Sequence, residues 1–219
     1  LTAVAGKFEP MVRQRVRIRF SKQGDLRLIG HRDLVRTMER MFRRAALRLR
    51  MSQGFHPKPL MSFPAALAVG IEGLDEIMEL ELAEHCTAEQ LHARLTPCGV
   101  SGLIFQSIEV LPEGTKKSQV RSLVYRVPVP AERRREVVDR VARLMQSRSH
   151  LIQRPGRTAS IDLRGALEEL TLRDGILSMR LRVSRQADPG PRDVLAALEL
   201  TDLEQEGNSL TRATVELQS

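Results

Sequence analysis

Between residues 15 and 20 the chain alternates strictly, with arginine at 15, 17 and 19 and Val16, Ile18 and Phe20 between them. Successive side chains of a strand point to opposite faces, so this period of two marks a strand with one buried face and one wet face made wholly of arginine. The period then changes. From 33 to about 49, Leu34, Met38, Met41, Phe42, Ala45 and Leu49 fall on one stripe of a helix, while Arg32, Arg36, Arg40, Arg43 and Arg50 collect on the opposite side. A strand and a helix, each with an arginine row, are therefore expected side by side.

The rest of the first half follows the same rules. Residues 51–59 are rich in Gly and Pro and read as a structured loop, 60–69 is strand-like, and 77–83 alternates again. Thr87 and Gln90 fit a capping box that opens a short helix to about Leu95, and 103–111 is a strand ended by Pro112, which has no N–H to give a ladder. The order β-α-β-β-α-β is that of a ferredoxin-like unit. After a connector at 112–118 the order recurs weakly: a strand at 123–129, a helix at 131–145, a short extended piece at 150–153, and an ambiguous stretch at 161–172. A clear strand at 176–183, a helix opened by Pro191 and a last strand at 210–217 complete it. The expectation is an α+β chain of tandem ferredoxin-like lobes with antiparallel sheets, one at 13–111 and one at 119–219, behind a flexible 1–12.

A chain of 219 residues can bury the cores of two such lobes. No apolar run approaches the roughly 18 residues of a membrane span, and the first ten residues do not form a signal peptide, so a cytoplasmic protein is expected. Cys86 and Cys98 are too few for a disulfide scaffold and wrongly spaced for a zinc or iron–sulfur site, and they read as buried thiols. Neither a metal nor a cofactor is expected.

Charge is unevenly spread. From Arg13 to Lys58 fourteen Lys or Arg stand against Asp25, Asp33 and Glu39, a local balance of 14 − 3 = +11 that exceeds the whole chain's net charge of +8. Between 72 and 89 the pattern inverts, with Glu72, Asp75, Glu76, Glu79, Glu81, Glu84 and Glu89 and no Lys or Arg. A concentrated basic surface attracts polyanions.

The residues from Phe20 through Ser21-Lys22-Gln23-Gly24-Asp25-Leu26-Arg27-Leu28-Ile29-Gly30-His31-Arg32-Asp33-Leu34-Val35 to Arg36, with Arg40 and Arg43-Arg44-Ala45, resemble the opening signature of the radical SAM-linked family of unknown function. A second signature resembles Ser52-Gln53-Gly54-Phe55-His56-Pro57-Lys58-Pro59 with Ser62-Phe63, and weaker likenesses lie at 161–164 and 211–213. Gly30 stands where Ser is common, and His56 and Lys58 where Asn and His are expected. The resemblance implies an accessory or substrate-handling part that works with a radical SAM enzyme. The chain's two cysteines cannot themselves supply the three grouped thiolates of that enzyme's cluster.

Within these blocks His31, Asp33 and His56 are the candidates for acid–base chemistry. Two of them have a structural alternative: Asp33 suits a helix cap, and His31 a residue fixing the turn before it. Phe55, His56 and Lys58, in a loop restricted by Pro57 and Pro59, suit stacking and charge contact with a nucleotide; Phe55 suits the core equally well, and Phe63 is expected in the core. Aromatic residues are only 3% of the chain, so RNA contact is expected chiefly through phosphates, at Arg17, Arg19, Lys22, Arg36, Arg40 and Arg43 together with that loop. The expected function is binding of structured RNA, of the tRNA or rRNA class, for presentation to a partner enzyme. The alternatives are an RNA-directed enzyme using His31 or His56, and a protein adaptor using the acidic strand.

Overall fold

A computed structural model describes residues 13–154, 160–184 and 188–218; the expected flexible segment 1–12 lies outside them. The alternating stretch is strand β1 (Gln14–Lys22), and a 3-10 turn at Gly24–Leu28 leads into helix α1 (His31–Arg44). Strands β2 (Met61–Ser62) and β3 (Glu72–Leu82), helix α2 (Ala88–Leu95) and strand β4 (Leu103–Leu111) complete the first half. The second half runs β5 (Val120–Pro128), α3 (Arg134–Gln146), β6 (Leu151–Ile152), β7 (Ile161–Asp162), the single turn α4 (Leu163–Ala166), β8 (Leu167–Arg173), β9 (Ile176–Arg182), α5 (Pro191–Ala197) and β10 (Thr211–Leu217).

One eight-stranded sheet joins the halves in the order β4-β1-β3-β10-β5-β9-β8, with β2 also on β3. Every ladder is antiparallel except the junction itself, where β10 runs parallel to β3 through Thr211 opposite Glu72 and Arg212 opposite Gly73. This is a mixed α+β architecture with a large, mostly antiparallel sheet. No described helix is long and apolar enough to cross a membrane.

Apolar periodicity places the cores. Val16, Ile18 and Phe20 of β1 meet Leu34, Met38, Met41 and Phe42 of α1, with Met78, Leu80 and Leu82 of β3 beside them. A second cluster gathers Tyr125, Val127, Leu177, Met179 and Leu181 of the sheet with Val137 and Leu144 of α3 and Val194 and Leu195 of α5. Leu67 and Ile71, from the connection between β2 and β3, belong to this second cluster. That connection corrects one expectation: the strand expected at 60–69 closes after Ser62, because the chain turns away to send Leu67 and Ile71 into the other core.

The capping box is present as expected, the Thr87 hydroxyl accepting from the Gln90 N–H while the Gln90 side chain accepts from Thr87 N–H. The stretch at 161–172, ambiguous by pattern, holds both kinds of structure, β7 and α4 followed by β8.

The arginine row of β1 is not a free cationic surface. β1 pairs with β3 so that Arg15 lies opposite Glu81 and Arg17 opposite Glu79. Glu79 receives Arg15 at 2.7 Å and Arg17 at 3.2 Å, Arg17 also reaches Glu109 at 3.0 Å, and Arg19 reaches Asp75 at 2.5 Å. The basic strand and the acidic strand neutralise one another across a single sheet. The acidic strand β3 has neighbours along both edges and buries Glu76 and Glu79 to 3% exposure.

Glu79 turns this ladder into a pH dependence. Burial alone would raise its carboxyl, but hydrogen bonds from Ser118 and Arg15 and the Arg15 charge outweigh it, and the group titrates below the ordinary glutamate value. A carboxyl depressed in the fold contributes stability that is present above its unfolded pKa and lost as pH falls through the folded one. The stability gap between the native chain and a Glu79→Gln variant should therefore be widest near neutrality and should close as pH falls below about 4.3. Urea midpoints measured across that range check it; a gap independent of pH would show that the ionised pair contributes nothing.

Candidate nucleic-acid interface

Helix α1 begins where its backbone turns at Gly30, which is extended and offers no side-chain cap. Asp33 is thus not the N-cap expected from its position but the third helical residue, where its charge suits the helix dipole and accepts from Arg36 at 3.4 Å. His31 is the first helical residue. It is exposed, and its ring stands edge-on to Phe63 at 5.1 Å, with Phe63 in turn edge-on to the buried Phe20 at 6.2 Å. Phe63 therefore fixes the face that His31 turns outward.

After Arg44 the chain reverses through Ala46, whose φ is 51°, so the helix stops short of the expected Leu49. Residues 48–50 then run along the end of β3, Arg50 N–H donating to the Glu81 carbonyl at 2.8 Å and Ala83 N–H to the Arg48 carbonyl at 2.7 Å. From there the 51–59 loop projects beyond the sheet. Ser52 N–H to Lys58 carbonyl and Lys58 N–H to the Ser52 hydroxyl, at 2.8 and 3.0 Å, close its base. Gly54 at its tip has φ 137°, a conformation that favours glycine, and Phe55 next to it is fully exposed, with His56 and Lys58 exposed as well.

Helix and loop enclose a groove of about 790 Å³. Its cations are Arg32, Arg36 and Arg43 from α1 and Lys58 from the loop, facing the single carboxylate Glu39; His31 lines one end, and Val35, Leu47, Leu49 and Met51 supply an apolar floor. Arg40 is exposed on the outer side of the same helix, donating to the Thr37 hydroxyl at 3.2 Å. The two sequence blocks are thus the two walls of one concave, cationic surface.

The structure separates the other expected residues from it. Arg17 and Arg19 lie on the far strand face with their carboxylates. Lys22 is 1% exposed and donates to the Ile29 carbonyl at 2.9 Å, so it is withdrawn from any phosphate. Burial lowers its pKa, Glu76 partly restores it and Arg212 lowers it further. His56 is at the loop tip and not in the groove, apart from His31. Arg32, placed by sequence on the arginine face of the helix but not among the expected RNA contacts, lines the groove, and its four-residue spacing from Arg36 was the available signal. Among the described residues no three His, Cys, Asp or Glu side chains converge as metal ligands; Cys86 is buried and Cys98 half-buried.

From Arg15 to Arg192 the sequence matches the family described as uncharacterized proteins conserved in bacteria, DUF2344. The chain belongs to this family. No curated protein matches it. Among solved structures it is similar to an unknown protein from Galdieria sulphuraria, at 11% identity over 95% of this chain and 100% of that one, with a TM-score of 0.31; a likeness that slight supports no argument. Every residue lining the groove falls inside the span matched to DUF2344, whereas Arg212 falls outside it.

Proposed function

We propose that the chain binds structured RNA, of the tRNA or rRNA class, in the groove between α1 and the 51–59 loop, and presents it to a radical SAM enzyme. The observation that carries this reading is the contrast between the two arginine rows. Those of β1 hold carboxylates of their own sheet, while Arg32, Arg36, Arg43 and Lys58 converge on a groove with only Glu39 among them. Although Arg36 also reaches Asp33, cations outnumber carboxylates in this concavity, and such a surface draws a polyanion and releases the ions condensed on it. Phe55 extends the surface with an aromatic face on which an unpaired base can stack, and Pro57 and Pro59 reduce the cost of ordering the loop around it. The partnership with a radical SAM enzyme rests on the resemblance of both groove walls to the radical SAM-linked signatures. The reading of each half as a ferredoxin-like lobe, 13–111 and 119–219, draws support from the strand orders β4-β1-β3-β2 and β10-β5-β9-β8.

The enzymatic alternative has one observation in its favour, the placement of His31 in the groove. Asp33, the nearby carboxylate, is engaged with Arg36. RNA binding is the better supported of the two.

The test is an Arg36→Gln, Arg40→Gln, Arg43→Gln variant. These side chains are exposed, so each change should shift stability by no more than about 0.5 kcal/mol. Affinity for a structured RNA, read by fluorescence anisotropy, should fall at least about tenfold. A folded variant with undiminished affinity would reduce the arginine row to a solvated face.

A further inference from the structure

On the opposite half of the molecule the sheet carries a second concavity, of about 740 Å³, that the RNA groove does not use. Its centre is a row of paired residues running across four strands. Thr171 of β8 lies opposite Ser178 of β9, Ser178 opposite Arg126 of β5, and Arg126 opposite Thr211 of β10. Directly paired residues project to the same face, so an arginine stands there among three hydroxyls. Arg173 lines the same cavity, and Ile176 and Pro128, which pair with one another, form an apolar shelf at its side.

The neighbouring Arg180 gives the comparison. It lies two residues along β9 from Ser178 and is held by Glu169 at 3.8 Å and Glu216 at 3.1 Å. Arg126 and Arg173 have no carboxylate partner among the described residues, and the one acid in the cavity, Asp174, is paired with neither. Arg15, Arg17, Arg19 and Arg180 of this sheet are matched with acids of other strands. Here it surrounds the exposed Arg126 with neutral hydroxyls, which leaves its charge open to an anionic ligand.

We propose that this cavity binds a phosphate ester, Arg126 and Arg173 taking the phosphate. The hydroxyls of Thr171, Ser178 and Thr211 meet polar groups of the ester's organic part, and Ile176 with Pro128 packs on its apolar surface. The volume falls in the range of small-molecule sites, roughly 300 to 1,000 Å³. Such an ester can be a free mononucleotide or one nucleotide of an RNA chain, and the two are distinguished by titrating the full chain separately with AMP, with adenosine and with an RNA hairpin.

Arg126→Gln and Arg180→Gln variants, each first shown to keep the native thermal midpoint, supply the decision. If the ligand is free, AMP binds saturably and adenosine does not, Arg126→Gln weakens AMP about tenfold or more, and Arg180→Gln leaves it unchanged. If the ligand is part of RNA, AMP does not bind, and Arg126→Gln weakens the hairpin while Arg180→Gln does not. The proposal is overturned if AMP and adenosine bind alike, if both variants weaken binding equally, or if Arg126→Gln changes neither ligand. AMP binding by the triple α1 variant should match that of the native chain, which keeps this outcome separate from the fate of the RNA groove.

Discussion

Replacing Arg212 by alanine is expected to cost about 3–5 kcal/mol of stability, enough to prevent folding of a marginal chain. Arg212 is 1% exposed on β10 and meets Glu76 of β3 in a buried ion pair, its Nε donating to Glu76 Oε1 at 2.7 Å. Its remaining donors go to the carbonyls of Ala65 and Ala66, each at 3.0 Å. Burial by itself would lower its pKa; the Glu76 hydrogen bond and charge, aided by Tyr125, hold it above the ordinary arginine value. One side chain therefore ties β3, β10 and the β2–β3 connection together at the parallel junction where the halves meet. Its loss leaves the buried Glu76 carboxylate without its ion-pair partner.

Gly73, opposite Arg212, belongs to the same device: a Cβ there would meet the Glu76 side chain at 2.5 Å. A double variant, Glu76→Leu with Arg212→Met, should recover much of the loss, because it removes both charges together and fills the space with apolar atoms. Urea denaturation of the three proteins measures this. A single variant as stable as the native chain would mean that water already reaches the pair.

This junction shows where sequence reasoning reaches its limit. In β10 strict alternation places Arg212 with Thr214 and Glu216, an outward set, but the register slips between Arg212 and Thr214 and the arginine turns inward. A bulge of that kind leaves no mark in the pattern of hydrophobicity. Lys22, expected among the phosphate contacts, continues the inward parity of Val16, Ile18 and Phe20, and that parity is the signal its charge obscured.

Local signals were dependable where one element decided the outcome. The bounds of β4, set by Pro112, and the Thr87–Gln90 box are in the structure as the sequence predicts. What a chain cannot announce is which strands become neighbours. The arginines of β1 and the acids of β3 lie some sixty residues apart in sequence, as Arg17 and Glu79 do, and counted separately they describe a polarised molecule; as adjacent strands they neutralise each other. The groove was legible as two sequence blocks, but not as two walls facing one another, because that depends on the reversal at Ala46 and on residues 48–50 running along the end of β3.

The second large effect concerns salt. Contacts made by Arg32, Arg36, Arg40, Arg43 and Lys58, with others around the loop, would neutralise several phosphates. For about six or more, affinity should fall by roughly 10³ or more between about 50 and 200 mM salt. Stacking on Phe55 is insensitive to ionic strength by comparison, so Phe55→Ala should weaken binding with little change in that dependence.

The salt titration of RNA affinity, run in parallel on the native chain and on the Arg36→Gln, Arg40→Gln, Arg43→Gln variant, tests the central claim most directly. The plot of log affinity against log salt should be steep for the native chain and shallower by about three for the variant, one unit for each phosphate contact removed. Equal slopes for the two proteins, or native affinity that does not change with salt, would contradict the assignment of the groove as an RNA interface.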